Sequence, residues 1–169
     1  VIDGQQRLTT LQLLFAAFRD FARQHEWKTL DRATTRYLEN VDPDVMEHPE
    51  EEVYKLWPTT LNRDVFRQVV SAGSKEVVEK QFPLRKLPRK RKYELRNNLV
   101  EAYLYFARAI GAWVADRAGH SGKSLEDSAF ALLQALQQDF CVVQIVLSEG
   151  DDSQEIFYSL NSQGRPLSQ

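Results

Sequence analysis

The stretch VIDGQQRLTTL at residues 1–11 decides the reading of the fold, because a β-branched pair, a glycine, a polar cluster and a helical repeat follow one another within it. Val1 and Ile2 read as the end of a strand, and Gly4 relieves the turn. From Leu8 the apolar residues recur at Leu8, Leu11, Leu14/Phe15, Phe18 and Phe21/Ala22, the spacing of one helical face. A helix is therefore expected to start near Gln5 or Gln6. Its start leaves up to four backbone N–H groups unpaired, and the aligned peptide dipoles favour an anion there, most often phosphate. Arg7 in that first turn is disfavoured by up to about 1 kcal/mol unless a carboxylate or a bound anion compensates. Asp3 is the candidate carboxylate. Gln5 and Gln6 offer amide groups suited to phosphate oxygens, a sugar hydroxyl, a metal-bound water or a base edge. The same residues also read more simply, with Asp3 as an N-cap paired to Arg7 and the glutamines solvated.

The whole string resembles the DGQQR signature of the ParB/sulfiredoxin-like domain in GmrSD-type modification-dependent restriction enzymes and related SspE-like phage-defence effectors. A second segment, EIFYSLNSQGRPLS at residues 155–168, is similar to that family's IF-x-x-LN-x-x-G-x-x-LS pattern. Weaker similarity lies in YKLWPT at residues 54–59 and around AYLYF at residues 102–106, so the resemblance spans nearly the entire chain. It implies a nucleoside triphosphate site (GTP, ATP or UTP, with Mg2+) that works with an HNH-type nuclease domain or subunit on modified foreign DNA. Carried over by position, the catalytic candidates are Asp3, Gln5, Gln6 and Arg7. Asp3 would hold the metal, Gly4 would let the backbone approach phosphates, Arg7 would neutralise their charge, and the glutamines would position water. The family also carries an earlier segment that completes the same site. A chain opening on Val1 is thus expected to be a fragment lacking it, inactive alone.

Composition fits one soluble domain. The chain has 169 residues, 43% of them hydrophobic and 27% charged, enough to bury roughly 70% of its unfolded surface. No apolar run approaches the ~20 residues that span a bilayer, so no membrane partner is expected and the cytoplasm is the default. Cys141 is the only cysteine, which excludes an intrachain disulfide and disfavours a zinc site. It opens an apolar run and reads as a small core residue. His25, His48 and His120 are far apart and form no HNH pattern.

A net charge of −2 does not advertise nucleic-acid binding, but the charges are unevenly placed. Residues 39–52 are acidic and contain Pro43 and Pro49, so they read as a solvated excursion between strands near residues 37–41 and 53–57. Those prolines break the spacing a calcium loop requires. Residues 85–96 run the other way, with seven basic residues and one acid. Arg89, Lys90, Arg91 and Lys92 are the candidate DNA contacts, by backbone-phosphate neutralisation. A basic helix entrance paired with the acidic loop, or a solvated face, is the competing reading.

The remainder reads as scaffold. Residues 59–72 predict a short helix, and residues 91–117 a long one, with Leu95, Leu99, Ala102/Tyr103, Phe106, Ile110 and Trp113/Val114 as its stripe. The segment at 118–123 is expected to break it. Gly122-Lys123-Ser124 ends like a phosphate loop, but its leading glycine is too close and no strand precedes it. Ser124 with Asp127 predicts an N-cap, followed by Phe130, Leu133, Leu136 and Phe140 on one face. Residues 141–147 predict a buried strand beside Val1 to Asp3. Asp152 with Glu155 predicts a capping box that opens a helix through Leu160. Asn161 and Gly164 in the turn beyond become second contributors to the anion site, or an ordinary helix C-cap.

The expected architecture is a predominantly helical α+β domain: a small, incomplete ParB/sulfiredoxin-like sheet with a helical insertion at about 59–138 between its two core segments. The expected function is a nucleotide-dependent sensor or regulatory domain of a DNA restriction system. The alternative is a non-hydrolytic DNA-binding or protein-docking module. Homo-oligomerisation is left open.

Overall fold

A computed structural model describes residues 4–40, 42, 45–86, 93–141, 152, 154 and 155. Its elements are α1 (Gly4–Gln24), α2 (Lys28–Thr35), α3 (Pro49–Glu52), a 3₁₀ turn (Thr60–Asn62), α4 (Arg63–Ser71), α5 (Lys75–Gln81), α6 (Asn98–Ser121) and α7 (Leu125–Gln138).

Helix α1 begins at Gly4, next to the expected start, and is more than an amphipathic stripe. Beyond the predicted face, Thr9, Ala16, Ala17, Arg19 and Asp20 are buried too. Between Leu13 and Ala22 every residue except Leu14 and Phe21 is buried, so this half of the helix is central, and α1 packs against both α2 and α6. Helix α6 in turn carries α4, α5 and α7. Its buried positions, Val100, Tyr103, Leu104, Ile110 and Val114, keep the three-to-four spacing of a single inward face. These helices meet in a core that includes Leu13, Phe18, Leu30, Leu38, Phe66, Val69, Val70 and Val78.

The helix ends show why the boundaries fall where they do. Helix α1 closes in a Schellman arrangement, with Trp27 N–H donating to Ala22 O (2.9 Å) and Glu26 N–H to Arg23 O (3.0 Å). Glu26 occupies the left-handed position at φ 60°. Ser124 Oγ accepts from the Asp127 N–H at 3.0 Å and donates to its carboxylate at 2.7 Å, the predicted cap of α7. Asp152 Oδ1 accepts from the N–H groups of Gln154 (2.8 Å) and Glu155 (3.2 Å), in keeping with the expected cap; the helix beyond lies outside the described residues.

Several expectations are corrected. Helix α6 starts at Asn98, not residue 91, because the Asn97 side chain caps it by accepting from Leu99 N–H at 2.8 Å. Leu95 then lies outside the helix and is almost fully exposed. Helix α6 also runs through the expected break at 118–121 and ends only at Gly122, φ 66°, because a lone glycine is tolerated inside a helix while a left-handed residue terminates it.

The expected strands at 37–41 and 53–57 reduce to a single antiparallel bridge, Glu39↔Tyr54. Two bonds flank it, Asn40 N–H to Val53 O (2.9 Å) and Lys55 N–H to Leu38 O (3.0 Å). At one end the pairing stops at the turn after α2; at the other, Val41 lies outside the described residues. Among the described residues no sheet forms, so the ParB/sulfiredoxin-like core is not supported; the expected strand at residues 1–3 and most of that at 141–147 lie outside them. Cys141 is exposed, not buried, since it emerges past the end of α7.

The most demanding feature of the core is charged. Arg19 and Asp20 are adjacent on α1 and both nearly fully buried, with 2.8 Å between Arg19 Nη2 and Asp20 Oδ1. Tyr103 Oη on α6 donates to Asp20 Oδ2 at 2.7 Å. Arg19 also donates to Val70 O in the last turn of α4 and, at 3.3 Å, to Glu39 Oε1. Burial pushes the Tyr103 hydroxyl well above its ordinary value, and the Asp20 charge adds to that shift.

Because the folded state holds the Tyr103 proton more tightly than the unfolded chain, whose tyrosines ionise near ~10, its contribution to stability is complete below that pH and is lost above it. Urea unfolding against pH is expected to show a decline above about pH 10 that Tyr103→Phe reduces, and the substitution should cost about 1–3 kcal/mol at neutral pH. At the left-handed position, Glu26→Gly is expected to raise the urea midpoint, gaining up to about 1 kcal/mol.

Candidate functional site at the start of helix α1

The first turn of α1 is braced from the side. Gln5 Nε2 donates to Trp57 O at 3.0 Å, tying the turn to the segment between the bridge and α4. Trp57 belongs to an aromatic group with Tyr54, at a ring separation of 4.8 Å, and Phe66, at 6.2 Å. Its indole N–H donates to Glu51 O at 2.9 Å, and the Arg63 guanidinium lies 5.6 Å from the ring centre. Burial raises the Tyr54 hydroxyl above its ordinary value, with Arg67 opposing. The threonines of the signature bond back along the helix, Thr9 Oγ1 to Gln5 O (2.7 Å) and Thr10 Oγ1 to Gln6 O (2.8 Å).

The polar residues of this turn therefore divide. Gln5 has its amide nitrogen committed to Trp57 and is half-buried, as is Gly4, whereas Gln6 and Arg7 are exposed. No acidic residue stands in the first turn of α1 itself. A helix start presents backbone N–H groups and a positive dipole end, both suited to an anion, and the exposed Gln6 amide and Arg7 guanidinium stand in this turn. Asp3, Asn161 and Gly164 lie outside the described residues. Among the described residues, no group of three or more His, Cys, Asp or Glu side chains stands together as metal ligands.

The residues flanking the basic tract pair with one another. Lys86 and Tyr93 form an antiparallel bridge, and Glu94 N–H donates to Arg85 O at 2.8 Å. Below it, Arg96 bonds Glu101 Oε1 at 2.5 Å and Phe82 O at 3.3 Å, fastening the base of the excursion to α5 and α6. Arg85 and Lys86 are exposed. Arg89, Lys90, Arg91 and Lys92 lie outside the described residues.

The chain matches the family model described as the GmrSD restriction endonuclease, N-terminal domain, over residues 1–169. It belongs to that family. No curated protein and no solved structure matches it. The chain is thus a restriction-system domain, and Gly4 to Arg7 of its DGQQR signature open the central helix. Among the described residues, no helix of this domain is long and apolar enough to cross a membrane.

Sequence reasoning missed the buried Arg19–Asp20 pair and its partner Tyr103. A signal was available: Arg19 and Asp20 directly follow the unbroken apolar run LLFAAF at residues 13–18, which has no polar face to carry them. Gln5→Ala is expected to destabilise the domain by about 1 kcal/mol through loss of the bond to Trp57 O. It should also shift Trp57 fluorescence, and urea titration followed by that emission checks both.

Proposed function

We propose that this GmrSD N-terminal domain binds and hydrolyses a nucleoside triphosphate, GTP, ATP or UTP with Mg2+, at the start of α1. In this reading it is the sensor or regulatory part of a restriction system that acts on modified foreign DNA with an HNH-type nuclease domain or subunit. The observation that carries it is that Gln5 braces the first turn of a 21-residue helix on which Gln6 and Arg7 are exposed.

In this scheme Arg7 meets the phosphates with its planar fork, the backbone at Gly4 approaches them closely, and Gln6 orients the attacking water. Gln5 acts through the turn it braces. Asp3 carries the metal assignment, and Asn161 and Gly164 are proposed as contributors from the second family segment. Bound Mg2+ would supply charge neutralisation on the phosphate oxygens.

A non-hydrolytic DNA-contact module is the second reading, favoured by one observation. The fastened excursion displays Arg85 and Lys86 and leads into the run of four basic residues at 89–92. Phosphate neutralisation by such a tract weakens steeply with salt.

Calorimetry of GTP, ATP and UTP with magnesium against the natural protein and this 169-residue chain, each with an Arg7→Ala counterpart, separates the two. Nucleotide binding abolished by Arg7→Ala, with phosphate release lost alongside, is the expected result. Absence of nucleotide binding, together with steeply salt-dependent DNA binding that is lost on neutralising residues 89–92, would overturn the hydrolase reading in favour of the DNA-contact module.

A further inference from the structure

The DGQQR turn occupies one end of α1, and a separate concavity lies towards the other. A cleft of about 290 Å³ opens where the second half of α1 meets the start of α5 and the middle of α6. Asp20, at its floor, is fifteen residues along α1 from Gln5, about 22 Å at the helical rise of ~1.5 Å per residue. The cleft is therefore not part of the anion site at the first turn.

Its floor does not repel an anion. Both Asp20 oxygens are already taken, Oδ1 by Arg19 at 2.9 Å and Oδ2 by Tyr103 at 2.7 Å, so the carboxylate is compensated from within the core. The rim carries two cations, Lys75 of α5 and Arg108 of α6, and one acid, Glu76 of α5. Arg108 of α6 is exposed and, among the described residues, makes no hydrogen bond or ion pair. Lys75 of α5 reaches its neighbour Glu76 only at 4.0 Å. Ser74 Oγ accepts from Val77 N–H, which leaves its own proton available to donate, and among the described residues the Gln24 amide makes no side-chain hydrogen bond. The volume is at the small end of the roughly 300–1,000 Å³ typical of ligand clefts.

We propose that this cleft binds a small phosphate monoester bearing hydroxyl groups, its phosphate held between Lys75 and Arg108 and its hydroxyls by Gln24 and Ser74. Two cations converging from separate helices on one concavity suit a phosphate dianion, because charge-assisted bonds to its oxygens are about twice as strong as neutral ones. The opposite wall is apolar, and Gly111 keeps it open. A Cβ at that position would lie 3.6 Å from Phe21 Cε2, an ordinary contact, so a small side chain there narrows the cleft without strain.

The test is titration of ribose 5-phosphate, and separately of inorganic phosphate, into the full 169-residue chain at low salt, followed by calorimetry and by backbone amide NMR shifts. Saturable binding of ribose 5-phosphate that moves the amides of residues 74–76 and 107–111 is expected, with Arg108→Ala and Lys75→Ala each raising Kd by about tenfold. Gly111→Ala should weaken binding while leaving the unfolding midpoint unchanged or higher, since alanine favours a helix over glycine. Arg7→Ala should leave Kd unchanged, which keeps this site distinguishable from the one proposed at the first turn. No saturable binding at roughly millimolar concentration, the same Kd in Arg108→Ala and Lys75→Ala, or loss of binding in Arg7→Ala would each overturn the proposal. Equal affinity for inorganic phosphate would overturn the role given to the hydroxyls.

Discussion

The structure depends on finding partners for one buried ion pair. Removing a carboxylate and a guanidinium from water costs several kcal/mol per ion, recovered only when the geometry is good and every remaining polar group is bonded. Arg19 and Asp20 meet that requirement with groups drawn from distant parts of the chain: Tyr103 on α6, the Val70 carbonyl on α4 and Glu39 beside the antiparallel bridge. The Val70 carbonyl lies in the last turn of α4, where carbonyls lack intrahelical partners and a cation is favoured by the dipole. One guanidinium thus closes α4 while it neutralises α1. Losing any of these partners would leave a buried charge exposed to an apolar core, so α1, α4, α6 and the bridge are tied to a single mutual arrangement.

That arrangement makes α1 the axis of the molecule and gives its two ends different work. At the first, Gln5 gives its amide to Trp57, and the aromatic group of Tyr54, Trp57 and Phe66 backs the turn, so Gln6 and Arg7 are presented from a braced base. Towards the second, Asp20 and Tyr103 complete each other beneath a cleft whose charged rim comes from α5 and α6. The basic excursion at 83–96 is fastened separately, through Arg96 to Phe82 and Glu101. The acidic residues Glu50, Glu51 and Glu52 are solvent-exposed.

Much of the helical scaffold was legible in the sequence. The three-to-four spacing from Leu8 to Ala22 and from Leu99 to Val114 marked α1 and α6, and Ser124 with Asp127 marked the cap of α7. The short helices α2, α3 and α5 were not read, since four to eight residues give periodicity little room to show. Residues 37–41 and 53–57 were read as strands, yet strand length depends on what the chain does on either side, and among the described residues the pairing is the single bridge of Glu39 and Tyr54. Cys141 looked like a core residue because cysteine usually is, but its burial depends on which element covers it.

The sequence by itself determined the family, through the DGQQR signature and its partner segment, and the placement of that signature at the start of a helix, since both are properties of neighbouring residues. Only the tertiary structure decided which side of α1 is buried, that Gln5 braces the turn while Gln6 and Arg7 face outward, and that Arg19, Asp20 and Tyr103 form one network. Those outcomes join residues 52 and 83 positions apart, from Gln5 to Trp57 and from Asp20 to Tyr103. Local patterning carries no information across such separations, and only packing, in which leaving a buried charge unpartnered is costly, selects them.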